Sequence, residues 1–246
     1  GTLTYCTIER ATRYTSSAAI ATSTNFPAVE HCTLRNNTYG IYATSVTSPS
    51  LTVNNVIQDN TYNGLYFSSC PGAYVANQTV TGHTTATGAI NFVNVNGFRI
   101  GTGNTITGNA WAMTMDFASY PDASSAGNIP LAGNTNNDGL QVYGGSTSAA
   151  ELWHQVGANY IVTSSPTLYG GGSLTIDPGC TVKFEDGMGL AVYGTLAANG
   201  TVGQGILFTR RDATDQWTGL SFSGASAVGT LTYCTIERAT RYTSSA

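Results

Sequence analysis

Thirteen carboxylates, three histidines and five cysteines are the side chains of this 246-residue chain that could carry chemistry. Cleavage of a glycosidic bond needs two carboxyl groups about 5–10 Å apart. Residues in register on adjacent turns of a repeating β structure could supply that separation. The acidic positions do not repeat in this way: one repeat after Glu9 stands Arg35, and one after that Gln58. Glu185-Asp186 precedes Gly187 and reads as a solvated corner; with Asp138 these are the carboxylates on which a polysaccharide-cleaving enzyme would rest. His31, His83 and His154 have no evident partner in the sequence. A catalytic site and a cofactor are therefore not expected.

A cation is the next candidate. Asn134-Thr135-Asn136-Asn137-Asp138-Gly139 has oxygen donors at positions 1, 3 and 5 and Gly at 6, the front half of a calcium loop. Asn134, Asn136 and Asp138 would be the ligands, but position 12 is Gly145 rather than Glu, and an Asn-rich turn has the same pattern. Cys6 and Cys32 fall at one repeat position, so their Cα atoms should lie about 4.8 Å apart, within reach of a disulfide. Thiols acting as small apolar fillers fit the same spacing. No Cys-x-x-Cys is present to hold zinc. Sequons at Asn36, Asn77 and Asn199 are open to glycosylation.

The elements that must position these groups show in the aliphatic spacing. Val182, Leu207, Ile8, Leu34, Ile57, Val80 and Ile106 follow Cys-Thr, Asn-Val or similar pairs, most of them 23 to 29 residues apart. A second series (Leu190, Leu220, Ile20, Ile41, Leu65, Ile90, Met113, Leu140) follows the first, and a third (Leu174, Leu196, Leu231, Val29, Leu51, Val75) precedes it. Turn formers such as Asn36-Asn37-Thr38-Tyr39-Gly40 separate them. Three short strands per repeat, each alternating in and out, predict an all-β solenoid of nine to ten three-stranded coils, a single domain over 1–246. The column Cys180, Cys6, Cys32, Asn55, Gln78, Asn104 should stack, and ladders of amides and hydroxyls should satisfy one another. The polar stretches Arg210 to Gln216 and Ala118 to Gly127 read as loops thrown out from the wall.

Composition excludes several partners. Only 9% of residues are charged, Lys183 is the sole lysine and the formal charge is −4, so there is no basic cluster to neutralise phosphates. No apolar run of about 18 residues is present to cross a membrane.

The runs Gly172 to Thr209 and Trp217 to Ala239 (WTGLSFSGASAVGTLTYCTIERA) resemble the right-handed parallel β-helix segments of secreted and cell-surface bacterial proteins, relatives in fold of the pectate lyases. The likeness covers about 70 residues through a strand ending in Pro-Gly, a V-x-F strand and an L-x-Y-C-x-I-E-x-A strand; the remainder shares only the coil period. It implies the fold and an extracellular setting. The polygalacturonase-like set of Asn-Thr-Asp, double Asp, Gly-His-Gly and Arg-Ile-Lys is missing.

Residues 229–246 repeat residues 1–18 letter for letter, leaving 228 independent residues. Both ends then fall within one coil, uncapped, and the period would rise roughly 45 Å at the spacing of stacked strands. The expectation is a repeat unit of a long extracellular fibre, stalk or sheath that joins copies of itself end to end. An adhesin presenting its many tyrosines to surface glycans is the alternative.

Overall fold

The computed structural model describes residues 1–14, 16–85 and 87–240. Among them the chain forms twenty-nine short strands and one turn of 3-10 helix, Ala123–Ser125. The strands stack in parallel into a β-solenoid of about ten turns. Gly, Asn, Ser and Thr dominate because each strand is only a few residues long and every coil needs corners. One corner column carries a left-handed residue per coil: Asn36, Asp59, Gly82 and Gly108, with φ between 53° and 79°. At Gly82 an added Cβ would crowd the Asp59 carboxylate, whereas Asn36 and Asp59 carry side chains at the same left-handed corner.

The longest sheet has ten strands, from Ala18–Thr22 and Tyr39–Thr44 at one end to Ile206–Arg210 and Cys234–Ile236 at the other. Its inward ladder runs Ile20, Ile41, Leu65, Ile90, Met113, then Leu140, Tyr160, Val182, Phe208 and Ile236. A five-stranded sheet holds Ile8, Leu34, Ile57, Val80 and Ile106 in direct register, the last four of them fully buried. A further face begins with Thr2–Thr4 and Ala28–Glu30 and comprises nine strands before the sequence recurs at Val228–Thr232.

Five expectations are corrected. Leu207 lies outside the ladder: it pairs with Thr181 and Thr235, while Phe208, one residue on, pairs with Val182 and is buried. Within this chain Val182 belongs to the ten-stranded sheet rather than to the sheet of Ile8. The two sheets part after Thr105–Thr107, where the five-stranded sheet ends while the ten-stranded one runs on through Met113–Met115 and Gly139–Val142 to Cys234–Ile236. Nor is Ala118 to Gly127 a simple outward loop: Tyr120–Pro121 is a wall strand, and Ser125 is buried with its hydroxyl accepting from Ile100 N at 3.0 Å. Arg210 ends the strand Ile206–Arg210 instead of beginning a loop. In the third series Leu174 and Leu196 pair, but Leu231 stands opposite Ala198.

Candidate functional site

Arg211 gathers most of the candidate polar residues. Its Nε donates to Asp138 Oδ2 at 3.1 Å and its Nη2 to Asp138 Oδ1 at 3.0 Å and Asn136 Oδ1 at 2.8 Å. Nη1 donates to Glu185 Oε1, and the guanidinium carbon stands 4.8 Å from the Trp111 ring centroid. Burial opposes the charge, but the hydrogen bonds that Arg211 donates to the Asp138 and Glu185 carboxylates, with their negative charge, outweigh it and hold Arg211 above its ordinary pKa. A planar, forked cation is suited to carboxylates on separate coils. Two of the expected calcium ligands and two of the expected carboxylates thus surround a guanidinium. Asn134, the third expected ligand, points inward and does not join them. Asp186 accepts from Gln216 N at 3.0 Å.

Asn134 ends a buried ladder that sequence reading missed. Asn37 Nδ2 donates to Asn60 Oδ1 at 3.1 Å, Asn60 Nδ2 lies 3.2 Å from His83 Nε2, His83 Nδ1 lies 3.1 Å from Asn109 Oδ1, and Asn109 Nδ2 donates to Asn134 Oδ1 at 2.9 Å. Asn60 donates to Nε2, so the proton sits on Nδ1 and points to Asn109. Burial lowers the His83 pKa to about 4, against the weaker opposing pull of Asn109. The signal was present as a repeated dipeptide, a left-handed residue and then a rung: Asn36-Asn37, Asp59-Asn60, Gly82-His83, Gly108-Asn109, Gly133-Asn134.

The expected column of Cys32, Asn55, Gln78 and Asn104 does stack. Asn55 Nδ2 donates to Gln78 Oε1 at 3.0 Å, and Gln78 N donates to Asn104 Oδ1 at 3.0 Å. Cys6 and Cys32 stand in it as thiols, Cys6 donating to Thr4 O at 3.2 Å and Cys32 to Glu30 O at 3.3 Å. Cys180 is buried, and its pKa is pushed up to about 12 by that burial and by Asp177.

Two further titratable groups lie away from Arg211. His154 Nδ1 meets Asp177 Oδ2 at 2.8 Å, but the neighbouring Tyr160 hydroxyl donates to the His154 backbone oxygen, not to the ring. Glu151, 1% exposed, faces the core beside Trp153; Thr147 donates to one oxygen at 2.8 Å, and burial raises its pKa. The alternation of Ala150–Trp153 places Glu151 and Trp153 on one face, a signal that sequence reading passed over.

The outer face of the ten-stranded sheet carries a group of tyrosines. Tyr42 and Tyr66 are strand neighbours whose rings stack at 4.6 Å and 3°, and Tyr39 stands edge-on to both at 5.1 and 5.6 Å. Burial, then Tyr42, raises the Tyr39 and Tyr66 pKa values, so both phenols remain donors. Ala21 occupies the next position beyond Tyr42, and a shallow, open depression of about 560 Å³ lies there, lined by Ala21, Thr22, Thr24, Asn25, Tyr42 and Thr44 among others, none of them charged. An aromatic face beside neutral hydroxyls and amides suits a neutral polar ring better than an anion.

Comparison with protein-family models, with curated proteins and with solved structures finds no match.

Proposed function

We propose that this chain is a structural repeat of a longer extracellular solenoid, a fibre or stalk whose 228-residue period runs on without a seam. The supporting observation is the use made of the repeated segment at its two places in the molecule. At the first, Leu3 pairs forward with Val29 and Ile8 with Leu34; at the second, the same residues pair backward, Leu231 with Ala198 and Ile236 with Phe208. Merging the two places leaves the strands Thr2–Thr4 and Thr7–Glu9 paired on both sides. It also completes the ladder expected from the sequence as Val182, Phe208, Ile8, Leu34, Ile57, Val80 and Ile106. The coils wind right-handed in this reading, as connections between parallel strands almost always do. Nine strands stand on one face before the recurrence, so a period rises about 43 Å at the strand spacing. Electron micrographs of the natural polypeptide should show filaments with that axial repeat; short rods of uniform length would overturn the reading.

A second reading, an adhesin presenting a glycan-binding face, is favoured by the Tyr42, Tyr66 and Tyr39 rings beside the open, uncharged depression. A glycan array should then detect a neutral saccharide that the Tyr42→Ala chain no longer retains and the Tyr193→Ala chain still does. Equal retention by the two variants would remove this reading.

A further inference from the structure

Fourteen tyrosines are present, and four of them meet at one place on the outer wall. Tyr42 and Tyr66 lie directly opposite each other on the parallel strands Tyr39–Thr44 and Leu65–Ser68. Side chains in register on parallel strands leave the backbone in the same direction, so the two rings stand side by side with their hydroxyl ends together. Their centroids are 4.6 Å apart and their planes 3° from parallel. That geometry brings the carbons ortho to the two hydroxyls alongside one another. Among the described residues this is the one stacked pair of tyrosines. Both rings are half-buried, open to a small oxidant on their outer side. Tyr39 stands edge-on to both, and Tyr62, 37% exposed, lies 5.4 Å from Tyr39.

We propose that Tyr42 and Tyr66 form an oxidative cross-linking site, at which a peroxidase with hydrogen peroxide joins the two rings carbon to carbon and fastens one coil to the next. Each phenol gives one electron to the oxidant and its hydroxyl proton to solvent. The two phenoxyl radicals couple through their neighbouring ortho carbons. A C–C bond forms, each of those carbons loses its hydrogen as a proton, and each oxygen takes up a proton to restore the phenol. Hydrogen peroxide accepts the two electrons with two protons and leaves as water, so the product is lighter by two hydrogen atoms. The stack supplies the second ring already in place, at an effective concentration that no tyrosine of another chain in dilute solution matches. Tyr39 and Tyr62 extend the site to the surface: an electron removed from Tyr62 is replaced through Tyr39 from the stacked pair. Without the link, successive coils are held by strand hydrogen bonds and side-chain packing alone. Its use as a fastening against tension rests on the fibre reading above; the coupling itself does not.

The test is mass spectrometry and fluorescence of the full chain in dilute solution after treatment with a peroxidase and hydrogen peroxide. The monomer should become two hydrogen atoms lighter and gain the fluorescence of a linked biphenol, and a protease digest should join the peptides that hold Tyr42 and Tyr66. Tyr42→Phe keeps a ring in the stack but has no hydroxyl to oxidise, and should lose this product. Tyr193→Phe, at an exposed tyrosine outside the group, should retain it. The linked chain should also melt at a higher temperature than the untreated one, because a cross-link restricts the unfolded chain. Three results would overturn the proposal: no link within the chain under conditions that couple added free tyrosine, a link that persists in Tyr42→Phe, or a linked chain that melts at a lower temperature. If the link forms but micrographs of the natural polypeptide show no filaments, the fibre reading fails and the cross-linking site stands. If filaments are seen and the link does not form, the site fails alone.

Discussion

His83 is the rung at which a buried amide ladder becomes sensitive to acid. Protonating Nε2 would set a donor against Asn60 Nδ2, whose own oxygen already accepts from Asn37. The folded pKa of about 4 lies below the ordinary 6.5. The unfolded chain therefore takes the proton first. His83 contributes its full stability above about pH 6.5 and loses it as the pH falls towards 4, by about 3 kcal/mol at most. Asp116 and Glu151 act in the opposite sense, since burial raises their pKa values. Comparison of the wild-type and His83→Asn chains in denaturant titrations at pH 7 and pH 4.5 separates these effects. The Asn variant matches the other rungs and should lose less stability on acidification; equal losses would show that the ladder does not exclude the proton.

At the scale of the strand, the long sheet and the five-stranded sheet differ in what decides their register. Ile8, Leu34, Val80 and Ile106 each stand between polar neighbours, and Ile57 keeps their spacing beside the exposed Val56, so the parity of their strands could be read from sequence and agrees with the structure. Ile206-Leu207-Phe208 is a continuous apolar run with no such parity, and Leu207 was placed one residue out of phase. Phe208→Ala should cost about 3–5 kcal/mol, as emptying a packed aromatic site does, and Leu207→Ala less than about 1 kcal/mol. Thermal or denaturant unfolding checks the pair, and the reverse order would restore Leu207 to the ladder. The parting of the two sheets was not legible at all, because a strand's alternation says which face is buried and not which strand stacks upon it. Arg211 was hidden for a similar reason: its partners Asn136 and Asp138 are more than 70 positions away and meet it only through the stacking of coils.

For the molecule as a whole, the identity of residues 1–18 and 229–246 is the ground for the proposed 228-residue period, and the strand pairings at its two places are compatible with that period propagating. A seam would need a different contact on one side of the shared coil, but its strands Thr2–Thr4 and Thr7–Glu9 pair forward at the first place, and their equivalents Val228–Thr232 and Cys234–Ile236 pair backward at the second. The central claim is most directly tested by solution scattering from a chain of two successive 228-residue periods. The account predicts a single stiff rod, longer than this one by about 43 Å, nine strand spacings. Two compact bodies joined by a hinge, giving two separate maxima in the distance distribution, would contradict it.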